Sequence, residues 1–82
     1  MEPLDDRSLE ILAAEAEHPT WRPGERDAVA NSRWGLTPTR YAQILNRLID
    51  TQAALAHDPH TVNRLRRTRE RFIKSRTRRR TA

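Results

Sequence analysis

The chain has 82 residues, 35% hydrophobic and 33% charged, with no cysteine and a formal net charge of +5. A length of this order supports one small domain that buries only about 60% of its unfolded surface and leaves no room for a large cofactor. Disulfides and thiolate metal sites are excluded, and no apolar run is long enough to span a membrane.

The chain opens on Met1-Glu2-Pro3-Leu4-Asp5-Asp6, which is acidic and lacks the basic and apolar regions of a signal peptide. A cytoplasmic protein is therefore expected. A first helix is predicted from about Asp5 or Asp6 to Glu17, with Leu9, Leu12, Ala13 and Ala16 on its apolar stripe and acids at its positive end. His18-Pro19 stops it, because the residue before proline avoids helical angles. Trp21 follows in a proline-bounded loop and reads as a plug for the core.

A second helix begins near Gly24-Glu25 and carries Val29, Ala30 and Trp34; Gly35 then stands where a left-handed residue ends a helix. In Leu36-Thr37-Pro38-Thr39-Arg40-Tyr41, Thr37 suits the cap of a third helix and Pro38 its first position. Leu36 and Tyr41 suit the two ends of a hydrophobic staple. This helix should run from Pro38 to about Asp50. Tyr41, Ile44, Leu45, Leu48 and Ile49 line one side, Thr39, Gln43, Asn46, Arg47 and Asp50 the other, with Arg40 on the flank.

Ala53, Ala54 and Leu55 form a partly helical connector, and Asp58-Pro59 repeats the cap-then-proline pattern. The last helix carries Val62, Leu65, Phe72 and Ile73 on one stripe, interrupted by Arg69. Thr77–Ala82 has nothing apolar to bury and should fray. The expected architecture is all-α: a bundle of about four helices over residues 1–76, containing a helix-turn-helix and a long basic last helix, then a flexible basic tail at 77–82.

Two helices joined by a short glycine turn, the second capped and amphipathic, describe a helix-turn-helix, whose second helix enters the major groove of DNA. Arg40 or Arg47 suits guanine and Gln43 or Asn46 suits adenine, while Thr37 and Thr39 lie where a helix N-terminus can hold a phosphate. An ordinary helical bundle with a solvated polar face would look similar. What tilts the balance is the tail. Ten of the 16 Lys and Arg lie between Arg64 and Arg80, where Glu70 is the sole acid, whereas residues 1–63 hold six basic and ten acidic side chains.

Arg64, Arg67 and Arg71 share one helical face, and Arg66 and Lys74 complete the set expected on phosphates. Six to eight neutralised phosphates predict a log K against log salt slope of about −5 to −7. The cations are almost all arginine, as coding bias alone can also produce. The expected function is a small DNA-binding protein of the nucleoid, a transcriptional regulator or nucleoid-associated factor. Its partners are double-stranded DNA and, in addition, RNA polymerase or another transcription protein. Homodimerisation is compatible with the pattern, although Arg69 argues against a simple coiled-coil seam.

The alternative is an adaptor that grips the transcription machinery through Glu2, Asp5, Asp6, Glu10, Glu15 and Glu17 of the acidic first segment. RNA binding ranks third for want of aromatic stacking residues. His57, Asp58 and His60 are neighbours, but Asp58 is better explained as a cap than as a metal ligand. No spacing suggests a catalytic constellation, so neither enzyme activity nor a cofactor is expected.

Trp21, Gly24, Trp34-Gly35-Leu36-Thr37, Thr39-Arg40-Tyr41, Gln43, Leu45-Asn46, Leu48-Ile49-Asp50, Ala54-Leu55, Asp58-Pro59, Val62, Arg64-Leu65-Arg66-Arg67 and Arg69 together carry a resemblance. The chain resembles a small actinobacterial family known mainly as a domain of unknown function. Members of that family often show an aromatic where Thr20 stands and a tyrosine where Ala42 stands. The resemblance implies a helix-turn-helix-like protein and supplies no ligand.

Overall fold

The computed structural model describes the backbone of residues 3–81 and the side chains of residues 3–75. Its elements are five helices: α1 (Asp6–Glu17), α2 (Glu25–Trp34), α3 (Pro38–Leu48), α4 (Gln52–His57) and α5 (Pro59–Thr81). No strand occurs among the described residues. The fold is all-α, with one helix more than the sequence predicts.

The extra helix is the connector. Thr51 Oγ donates to the Leu48 carbonyl at 2.8 Å and accepts the Ala54 N–H at 3.1 Å, closing α3 and opening α4 with one side chain. That double role explains why α3 ends at Leu48 rather than at Asp50. The caps predicted at Thr37 and Asp58 form as expected, and Asp5 adds one that the sequence reading does not specify. Asp5 accepts the Ser8 N–H at 2.7 Å, Thr37 the Arg40 N–H at 3.2 Å, and Asp58 the Thr61 N–H at 3.1 Å. Each satisfies a donor that the first turn leaves without an intrahelical partner.

Gly35 takes φ 65°, its N–H reaches the Asn31 carbonyl at 2.9 Å, and the Leu36 N–H reaches Ala30 at 3.2 Å. The chain thereby reverses within three residues and lays α3 against α2. Leu36 and Tyr41 are both buried, as a staple requires.

The core comprises Ile11, Leu12, Ala30, Leu36, Tyr41, Leu45, Leu48, Ile49, Ala54, Val62 and Leu65. Helix α5 closes it by packing on α1 and α4. Two sequence expectations change here. In α1 the inward face is Ile11, Leu12, Ala14 and Glu15, while Ala13 and Ala16 are exposed. The apolar arc is displaced because a carboxylate completes it. Phe72 and Ile73 are 64% and 54% exposed, because α5 runs past the body that buries Val62 and Leu65. The α5 backbone is helical through Thr81, consistent with the good helix propensity of arginine and the absence of Gly or Pro after Pro59. Ala82 lies outside the described residues.

Glu15 is the polar centre of this core, with no exposed surface. Its carboxylate accepts hydrogen bonds from the Tyr41 hydroxyl at 2.5 Å, Trp21 Nε1 at 3.1 Å and Arg26 Nη2 at 2.8 Å. Its main-chain carbonyl accepts from Arg64 Nη2 at 2.6 Å. One residue of α1 thus ties down the loop, α2, α3 and α5. Trp21 is consequently half-buried rather than a plug: His18 stacks on it at 4.2 Å and the Arg26 guanidinium lies 5.6 Å from its centroid.

Candidate nucleic-acid interface

The orientation of α3 is set by its buried face. Tyr41, Leu45 and Leu48 point into the core, and Trp34 stacks on Tyr41 at a centroid distance of 6.0 Å. With the inner side occupied, helical geometry turns the opposite side to solvent. Thr37, Thr39, Arg40, Gln43, Asn46 and Arg47 are all exposed. Arg40 Nη1 lies 3.4 Å from Gln43 Oε1, so the flanking guanidinium leans over the centre of the polar face.

Asp50, just beyond the end of α3, would place a negative charge beside this face. Arg69 of α5 removes it. The guanidinium holds both carboxylate oxygens, Nη2 to Oδ1 at 2.8 Å and Nη1 to Oδ2 at 3.1 Å, and Nη1 also reaches the Asn46 carbonyl at 3.4 Å. The Arg69 hydrogen bond holds the Asp50 carboxyl below its usual pKa. Such an exposed pair contributes at most about 1 kcal/mol to stability. Its larger effects are local: it neutralises the carboxylate and brings α5 alongside the C-terminal end of α3.

The basic residues of α5 from Arg64 to Lys74 divide into two sets. Arg64 and Arg66 are half-buried and engaged with the body, Arg64 on the Glu15 carbonyl and Arg66 Nε on the Ile49 carbonyl at 2.8 Å. Both therefore act as staples between helices. Arg67, Arg71 and Lys74 are exposed. The shared face expected of Arg64, Arg67 and Arg71 is accordingly divided, with Arg64 turned inward.

Arg69, Asp50 and Glu15 are the residues that sequence reasoning left out of the site. Glu15 carries a signal in its position, four residues after Ile11 and three after Leu12, on the apolar arc. The Arg69–Asp50 pair carries none, since its members stand 19 residues apart. Three acids of the first segment have partners within the fold, while Asp6 and Glu17 are exposed. Glu15 is interior, Asp5 caps α1, and Glu10 accepts the Trp34 indole N–H at 2.9 Å. Glu2 lies outside the described residues. Among the described residues no group of three or more His, Asp or Glu could hold a metal ion, and no helix is long and apolar enough to cross a membrane.

These features define a small all-α domain with one outward, cation-bearing helix face beside a long arginine-rich helix. The chain belongs to the family described as "Protein of unknown function (DUF3263)", which it matches over residues 3–81. No curated protein and no solved structure matches it.

Proposed function

We propose that this protein binds double-stranded DNA, as a transcriptional regulator or nucleoid-associated factor working in the cytoplasm at the nucleoid. Helices α2 and α3 with the Gly35 turn serve as a helix-turn-helix, and α3 enters the major groove. Arg40 and Arg47 read guanine, Gln43 and Asn46 read adenine, and Thr37 and Thr39 meet phosphate at the helix N-terminus. Arg67, Arg71 and Lys74 follow the backbone. These α5 contacts position the protein and read no sequence. The resemblance to an actinobacterial helix-turn-helix-like family points the same way.

The observation that carries this proposal is the Arg69–Asp50 pair. It cancels the carboxylate beside an otherwise neutral and cationic helix face, and it sets that face next to the most basic element of the chain. Of the acids that the adaptor alternative would use, Glu15 is interior, whereas Asp5, Asp6, Glu10 and Glu17 are exposed, so an acidic surface remains for it.

Titration of duplex DNA at several salt concentrations tests the proposal. Arg40→Ala and Gln43→Ala should each weaken a preferred site by about 1–3 kcal/mol and relax base preference. Truncation after Arg69 keeps the core and the Asp50 pair but removes six cations, so the slope of log K against log salt should fall in magnitude by up to about 5. Indifference to Arg40 and Gln43 would reduce the activity to non-specific binding by the tail. Failure of the intact protein to hold any duplex at low salt would remove the proposal.

A further inference from the structure

On the flank of α3 away from α5, a groove of about 620 Å3 runs between the start of α1, α3 and the start of α4. Its apolar surface comes from Leu4, Ile44 and Leu48, of which Leu4 and Ile44 are only half-buried. Arg7 stands on the α1 wall, and Arg40 and Arg47 on the α3 wall. The lining holds one carboxylate, Asp5, which caps α1 and keeps its charge, so three cations stand against one anion. The groove therefore presents an apolar strip edged by three cations.

Spacing says what fits. Arg40, Ile44 and Arg47 follow i, i+4, i+7, so they form one row, with the Cα atoms of the two arginines about 10.5 Å apart along the axis. A small anion could engage only one of them. Since all three arginines are exposed, that single ion pair would be weak. A ligand that gains from the site must cover the strip and carry acids two helical turns apart.

The geometry points to a docking site for an acidic amphipathic helix of a partner protein, its apolar ridge on Leu4, Ile44 and Leu48 and its carboxylates on Arg7, Arg40 and Arg47. This is helix-in-groove recognition with complementary charge at the rim. The groove takes an acidic partner on this chain's arginines, whereas the adaptor alternative would use this chain's own acids. The inference does not require DNA binding. If α3 also reads DNA, the partner and the duplex compete for Arg40 and Arg47.

The test uses the intact protein and a fluorescently labelled, alanine-based helical peptide bearing leucines at i, i+4 and i+7, flanked by glutamates. Saturable binding should weaken about tenfold with Ile44→Ala, which removes most of a half-buried side chain from the strip. It should weaken by a similar factor with Arg7→Glu, an exposed change outside both the core and the proposed DNA face. The melting temperature of Arg7→Glu should match that of the parent, which separates lost docking from lost folding. A peptide with every glutamate replaced by glutamine should also bind about tenfold more weakly. Absence of saturable binding, or binding unchanged by Arg7→Glu and by the glutamine peptide, overturns the inference.

Discussion

Glu15 shows how one side chain can organise a small core. A buried carboxylate is costly unless its oxygens are satisfied, and here three donors from three segments satisfy them. The arrangement also acts on Tyr41. Burial first, then its hydrogen bond to Glu15 and the negative charge of that carboxylate, push the hydroxyl pKa well above its usual value. The folded state therefore holds the proton where the unfolded chain has lost it. This contribution is full below pH about 10 and is lost as pH rises above it. Tyr41→Phe should cost about 1–3 kcal/mol at neutral pH, read by urea unfolding, and should flatten the alkaline decline. Because Tyr41 is the only tyrosine, its ultraviolet absorbance reports the titration without ambiguity.

The short turn between α2 and α3 depends on a backbone conformation rather than on a contact. Nothing lies within 4 Å of where a Cβ at Gly35 would stand, but φ of 65° is strained for any L side chain. Gly35→Ala should therefore destabilise by about 1–2 kcal/mol through backbone strain alone. Thr37→Ala, which removes the acceptor for the Arg40 N–H, should cost about 1 kcal/mol. For a domain of this size each kcal/mol lowers the melting temperature by about 4–8 °C, so calorimetry reads both changes. A Gly35→Ala variant that melts with the parent would mean that the turn does not hold α3 in place.

Across the whole molecule, charge is sorted by depth along α5. Arg64, Arg66 and Arg69 secure the helix to the body, while Arg67, Arg71 and Lys74 are exposed. Hydrogen bonds hold the carboxyls of Asp5, Asp50 and Asp58 below their usual values, from Ser8, Arg69 and Thr61 respectively. The stability they supply is present above pH about 4 and is lost as pH falls through the depressed values. Asp50→Asn should reduce this acid sensitivity in a melting series across pH. It also releases Arg69 beside the α3 face, so DNA should bind more tightly and the salt slope should steepen by about 1. An unchanged slope would place Arg69 away from the phosphates.

Four of the five helices, the caps that open α3 and α5, and the outward face of α3 are legible from the residues. Caps at Thr37 and Asp58 and the left-handed Gly35 are resolved within one or two turns of chain, and amphipathic spacing alone sets which side of α3 is wet. The connector reads only as partly helical, because the double role of Thr51 depends on where α3 stops. Long-range pairing was not legible. Arg64 reaches Glu15 across 49 positions and Arg69 reaches Asp50 across 19, and both pairs depend on where α5 crosses the other helices. Periodicity gives a helix its inner and outer sides, but not its crossing partner. Which arginines are bound into the fold and which face solvent is therefore decided by packing, because a guanidinium on a long stem settles wherever folding leaves a carbonyl or carboxylate within reach.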